Sequence, residues 1–313
     1  MSATGQPVGG STPLGVEIDD KHPLFPVLVR FERARQQKDE LLDAVTAALR
    51  LNKGSMTRES DPKTGEHVWR FHRPKLEVLW GVIIGEIVHD LRSCLDHLVC
   101  ILVEHDGGVP GRHTGFPICT KKREFRSHLA RGRRWTGKLV GLRPASIALI
   151  AKHQPCHSGQ DGHTVPIYLL EVLWNIDKHR TVHLLVAETE LVGPISFKAT
   201  PPATKIWTVA PGPLKDGAEV CRIPGGTYAD VEVKANTGTD VLLDKTWDAR
   251  PNTRNIGPIL HTLVIVVERI VVSAARLMHE HPAQTSPPPP PPRFTWYEWA
   301  TRWVIDTVQR LKR

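Results

Sequence analysis

The segment from residue 75 to residue 104 constrains the fold most strongly, because its apolar residues follow a long helical pattern. At about 100° per residue, its aliphatic side chains fall on one arc of a helix. They are Ile87, Val88, Leu91, Leu95, Leu98 and Leu102. The sequence HDGGVPG at 105–111 marks the end of the pattern. A helix of this length has to bury its apolar face, so we expect it at the centre of the core.

Similar patterns predict further helices over residues 27–51, 165–178 and 255–280. HVWRFHR, at residues 67–73, alternates like a short strand. In residues 181–247, short apolar runs separated by Pro and Gly predict about five strands. We therefore expect an α+β fold, mainly α, in which a helical bundle over residues 23–280 contains a basic insert at 107–164 and a small β-sheet at 181–247.

The two ends of the chain differ from this central domain. Residues 1–22 have the composition of a disordered tail, with no basic and apolar leader pattern. Residues 281–293 form a proline-rich linker, and residues 294–313 predict an amphipathic helix that binds a protein partner or a membrane surface. No apolar run reaches the ~18 residues of a membrane span. The five cysteines form no CxxC pair, so we expect a cytoplasmic protein without disulfides.

The central helix also carries one polar stripe. Its members are Glu86, His89, Asp90, Ser93, Asp96 and His97, with Arg92 near its edge. A solvated helix face is one interpretation, because oppositely charged neighbours on a helix support one another modestly. A metal site is the second, because Glu86, Asp90 and His97 share one face.

The third interpretation comes from a resemblance. Arg92 and His97, in RSCLDH, are spaced like the RX4-6H motif of the HEPN superfamily, a group of helical-bundle proteins that includes many metal-independent ribonucleases. DLRSCLDHLV followed by FPI, QP and NIDKHR also resembles an uncharacterised group of bacterial proteins. The resemblance implies a HEPN-like bundle in which His97 moves a proton at the RNA 2′-hydroxyl or the leaving oxygen. Arg92 would stabilise the charge of the transition state, giving 2′,3′-cyclic phosphate ends.

Arg92 and His97 lie about 140° apart on an ideal helix. Because one subunit then has difficulty aiming both at one phosphate, and the family commonly pairs two motif helices, we expect a homodimer. Help from a second cluster, NIDKHR, is the other expectation: Asp177 would orient His97 or His89, and His179 would join them. The alternative is that the basic residues of NIDKHR complement the dipole at the end of their helix.

The excess of positive over negative charge in the chain is concentrated in one segment. Residues 121–143 hold nine basic residues and one acid, a difference of +8 that equals the net charge of the whole chain. With Phe125 and Trp135 interleaved, this composition favours a surface for single-stranded nucleic acid. The predicted contact residues are Lys121, Lys122, Arg123, Arg126, Arg131, Arg133, Arg134, Trp135 and Lys138. A solvated loop is the alternative.

Two hypotheses for the function follow. The first is a metal-independent, HEPN-like endoribonuclease in a toxin or antiphage role, with Arg92 and His97 as catalytic residues and Glu86, His89, Asp90, Asp96, Asp177 and His179 as supporting residues. The second is a non-catalytic helical-bundle binding module, which contacts nucleic acid through the basic insert and a partner through the C-terminal helix. Neither hypothesis requires a cofactor.

Overall fold

A computed structural model describes residues 20–129, 137–179, 185–203, 205–226, 228, 230–243 and 254–283. In this part of the chain there are six α-helices. They are α1 (Phe25–Leu51), α2 (Val78–His105), α3 (Lys122–Ser127), α4 (Pro144–Lys152), α5 (Pro166–His179) and α6 (Ile256–Glu280). Two single 3-10 turns, Pro155–His157 and Gly162–Thr164, lie between α4 and α5.

The long helix α2 lies at the centre of the larger hydrophobic core, close to its predicted position. It packs against α1, α5 and α6, and α6 also contacts α1, α4 and α5. Leu91, Leu95 and Leu98 of α2 are fully buried, as their helical spacing predicts. Burial of this apolar surface supplies the main driving force that holds these helices together.

Helix α6 is long and apolar enough to cross a membrane, with a mean hydropathy of 1.8 over its most apolar window. In the structure, its apolar residues pack against the other helices, and a buried core helix has the same composition. The side chain of Asn255 caps its first turn by accepting a hydrogen bond from the Gly257 amide at 3.0 Å.

Nine strands are present among the described residues. They are β1 (Ser55–Ser60), β2 (His67–His72), β3 (Leu185–Leu191), β4 (Ser196–Thr200), β5 (Trp207–Thr208), β6 (Gly212–Leu214), β7 (Ala218–Ile223), β8 (Asp230–Lys234) and β9 (Thr237–Leu243). They form three antiparallel sheets, with the orders β1-β2-β7-β5, β6-β3-β9 and β4-β8.

The sheets have a hydrophobic cluster of their own. Trp69 and Phe71 of β2 pack there with Val220 and Cys221 of β7 and with apolar residues of the neighbouring sheets. Long-range pairing of β2 with β7 therefore ties the early hairpin to the later β region.

The predicted helical-bundle architecture is wrong. The chain is not a HEPN-like helical bundle with a small inserted sheet, but an α+β fold in which three antiparallel sheets stand beside the helices. The described residues of the region 181–247 form seven strands where about five were expected, and β1 lies where no strand was predicted. Strand β1 is almost wholly exposed, so its sequence, SMTRES, carries no apolar alternation that could have predicted it.

Several predictions fall outside the described residues. They concern the tail before residue 20, most of the proline-rich linker, the amphipathic helix at 294–313 and four members of the basic segment, Arg131, Arg133, Arg134 and Trp135. For His179 the structure describes the backbone, as the last residue of α5.

Candidate functional site

The polar residues of α2 do not share one environment, because neighbouring elements use them differently. Towards α1, Asp90 forms an ion pair with Arg30, whose NH1 lies 3.1 Å from Asp90 Oδ1. One turn earlier, Glu86 accepts a hydrogen bond from the side-chain amide of Gln37 at 3.3 Å. These two contacts join the polar edges of α1 and α2. Sequence reasoning missed both α1 partners, because nothing in α1 alone indicates its register against α2.

Arg92 points into the protein and is only 2% exposed. Its NH2 donates a hydrogen bond of 2.6 Å to the carbonyl oxygen of Phe116 and lies 3.2 Å from Asp96 Oδ1. The same Asp96 oxygen accepts a 2.8 Å hydrogen bond from the Phe116 amide. Arg92 and Asp96 therefore hold both polar groups of Phe116, and we call this arrangement the Phe116 clamp.

Arg92 also connects α2 to α5. Its guanidinium lies over the ring of Trp174, 5.1 Å from the ring centre, which is a cation–π contact. Its NH1 lies 3.8 Å from Glu171 Oε2, and neither atom makes a hydrogen bond to a described residue.

His97 has the opposite environment, since it is exposed to solvent. His89 is also exposed, and its Nε2 lies 3.5 Å from Ser93 Oγ. Among the described residues, no hydrogen bond or ion pair joins His97 to Arg92, and the two side chains differ in exposure. The buried guanidinium of Arg92 is held by its own protein and is not presented to a phosphate.

An open cleft of about 310 Å³ lies among α1, α2 and α5. We call it the acidic cleft. Its lining residues are Gln37, Val82, Gly85, Glu86, His89, Asp90 and Asp177. Four of them, Glu86, His89, Asp90 and Asp177, were predicted as supporting residues. Asp177 and His89 thus share one cleft, whereas His97 is not among the residues that line it.

Gly85 makes this cleft possible. A side-chain Cβ at this position would overlap Oδ1 of Asp177, so the α5 carboxylate reaches the backbone of α2 only because residue 85 is glycine. Glycine inside a helix costs about 0.5–1 kcal/mol relative to alanine. An isolated glycine within a strong helical pattern is therefore a signal of close approach, and it could have led to Asp177 from the sequence.

The cleft is suited to a positively charged or hydrogen-bond-donating ligand. Three carboxylates face it, and only Asp90 is neutralised by an ion pair with a described residue. Because carboxylates repel phosphate groups, a nucleic-acid backbone does not fit this cleft.

The described part of the basic segment forms a separate, cationic surface. Lys121, Lys122, Arg123 and Arg126 lie on or next to α3, are exposed, and form no ion pair with a described residue. Phe125 has the opposite environment and is buried in the larger core. Its ring is therefore not accessible for stacking on bases and instead anchors α3 so that the cations face solvent.

Comparisons with models of known protein families, with curated proteins and with solved structures find no match to this chain. Its two polar surfaces are therefore interpreted from their own geometry.

Proposed function

We propose that this protein binds single-stranded nucleic acid through the cationic surface of α3. The observation that carries the proposal is the set of four exposed cations at residues 121–126 that form no ion pair with a described residue. A cation that already forms an ion pair with a protein carboxylate gains less free energy from binding a phosphate group. Unpaired cations can replace the counterions of a nucleic acid, and the release of these counterions supplies the affinity.

The anchoring of α3 supports this function. Phe125 packs in the core, and the ring of His157 lies edge-on to it at 5.2 Å. Because α3 is held in this way, its cations project from a fixed backbone, and the binding of nucleic acid does not first have to order α3.

The test measures the binding of a fluorescent single-stranded RNA by the full chain at salt concentrations between about 50 and 200 mM. In one variant, Lys121, Lys122, Arg123 and Arg126 are all replaced by Gln. Each phosphate neutralised contributes about 0.7 to the log–log salt slope on single strands, so losing four contacts should reduce the slope by about 3.

A control with the same change in charge separates local contacts from net charge. Lys63, Lys198, Lys205 and Lys215 are exposed lysines that lie outside the basic segment. Replacing these four by Gln should leave affinity and slope close to those of the wild type. Equal losses in both variants, or no binding by the wild type, would overturn the proposal.

RNA cleavage by the exposed His97 of α2 is a second candidate. It is favoured by one observation: His97 is exposed and is not among the residues that line the acidic cleft, and imidazole is a common general acid or base. Full-length protein is incubated with total RNA in EDTA, and His97→Ala is compared with the wild type and with His89→Ala, a control inside the cleft. Loss of cleavage with 2′,3′-cyclic phosphate ends in His97→Ala alone supports the candidate, whereas cleavage that survives in His97→Ala, or no cleavage by the wild type, rejects it.

A further inference from the structure

Three side chains of different chemistry, from the two ends of α3, meet at one point beside this helix. They are the thiol of Cys119, the carboxylate of Glu124 and the ring of His128, and one ligand atom from each lies within 4.8 Å of the other two. Cys119 precedes α3, Glu124 lies in its first turn, and His128 follows its last residue. The scattered cysteines gave no indication of this site, because its spacing differs from that of common zinc motifs.

We propose that Cys119, Glu124 and His128 bind a zinc ion through three protein ligands and leave the fourth position to water. A tetrahedral zinc ion with ligand distances of about 2.0–2.3 Å holds its ligand atoms about 3.3–3.8 Å apart. Small side-chain rotations bring three atoms that already lie within 4.8 Å into this range. Sulfur, nitrogen and oxygen donors together favour zinc over magnesium or calcium, which select oxygen.

The charges of the ligands match those of the ion. A thiolate and a carboxylate together supply two negative charges, which balance Zn²⁺. Burial raises the pKa of the Cys119 thiol to about 12, so the ion has to displace its proton on binding, and Lys138 opposes a cation at both Cys119 and His128. Burial, followed by Lys138, lowers the pKa of His128, which disfavours the protonated ring that could not bind a metal.

The backbone of the proposed site is held in place before any metal binds. The amide of Cys119 donates to the side-chain oxygen of the buried Gln154 at 3.1 Å, and its carbonyl accepts from the Cys156 amide at 2.9 Å. The carbonyl of His128 accepts from the Leu139 amide at 3.0 Å. These contacts orient two of the three ligands, as supporting hydrogen bonds do in metal sites.

The test measures zinc bound to the full, reduced chain after dialysis, by elemental analysis and by cobalt substitution. We expect about one ion per chain and a cobalt spectrum with a sulfur-to-metal charge-transfer band. Glu124→Gln is the cleanest variant, because Glu124 is exposed and its loss does not disturb the core. Loss of supporting groups alone weakens metal sites about 10–100-fold, so losing this direct ligand should weaken zinc binding at least as much.

Two further variants and one control complete the test. Cys119→Ser should remove the charge-transfer band, while Cys156→Ser, which removes the neighbouring thiol, should retain both the band and the stoichiometry. Glu280→Gln replaces an exposed carboxylate at the end of α6 and should bind like the wild type. A wild type that retains no zinc or cobalt, a Glu124→Gln chain that binds as tightly as the wild type, or a Cys156→Ser chain that loses the metal would overturn the proposal.

Discussion

Replacement of Arg92 by Ala should destabilise the folded protein strongly, because its buried guanidinium joins three separate parts of the chain. The hydrogen bond to the Phe116 carbonyl has a charged donor, and such bonds contribute about 1.5–3 kcal/mol. The contact with the Trp174 ring is desolvated and contributes about 1–2 kcal/mol. The ion pairs with Asp96 and Glu171 involve partly exposed carboxylates, so solvent screening leaves little to add.

The expected loss is therefore about 3 kcal/mol or more in the free energy of unfolding. For a domain of this size, such a loss lowers the melting temperature by about 6–12 °C. Urea unfolding followed by circular dichroism measures the free energy, and a thermal scan gives the melting temperature. Arg92→Met should lose most of the same stability, because it fills the space but cannot donate to Phe116.

His97→Ala is the matched control, since it alters an exposed residue on the same helix. Exposed substitutions of this kind change stability by less than about 0.5 kcal/mol. If Arg92→Ala unfolds with the same free energy as the wild type, within about 0.5 kcal/mol, the structural role of Arg92 is refuted. Loss of RNA cleavage with unchanged stability would instead support the catalytic role that the sequence predicts.

Two smaller perturbations test other contacts. Gly85→Ala should displace the Asp177 carboxylate from α2, because the new Cβ overlaps it; since this side chain can turn into the open cleft and alanine favours a helix by about 0.8–1 kcal/mol, stability should not fall, and a double-mutant cycle with Asp177→Ala measures the coupling. At the end of α2, burial opposes ionisation of Asp106, but hydrogen bonds from Ser146 and from the backbone and side chain of Arg143 together hold the pKa of Asp106 below its usual value. Asp106→Asn should therefore lower the free energy of unfolding by about 1–3 kcal/mol at pH 7. In urea titrations at several pH values, the difference in this free energy between wild type and variant should be constant above about pH 5 and shrink as acid protonates the wild-type carboxylate. A difference that persists unchanged at low pH would contradict the assignment.

The helices could be predicted from sequence better than the sheets, for a physical reason. In a long amphipathic helix, the apolar residues recur at helical spacing over many turns, so the sequence of a segment such as α2 is enough to predict both the helix and its buried face. Strand β1 has no such pattern because it is an exposed edge strand, and β5 has only two residues. Their existence depends on pairing with other strands, β2 for β1 and β7 for β5, which periodicity within a strand does not show.

The residues of the candidate site also differ in how well the sequence predicts their positions. Helical spacing places Glu86, His89 and Asp90 together, and the structure shows them in one cleft. Arg92 lies at the border of the apolar arc on an ideal helix, so spacing alone allows its long side chain to turn outward or inward. The carbonyl of Phe116 and the ring of Trp174 decide the direction, and neither belongs to α2.

The Phe116 clamp also links the polar stripe of α2 to the cationic surface. From Phe116 the chain runs three residues to Cys119, whose backbone is fixed by Gln154, and then enters α3. Releasing Phe116 would loosen the start of this path, so substitution of Arg92 should weaken zinc and RNA binding even though Arg92 touches neither ligand. Because Arg92→Lys keeps the charge but loses the guanidinium fork, an equal loss of binding in Arg92→Lys and Arg92→Ala would assign the effect to the position of Phe116 and not to the charge of residue 92.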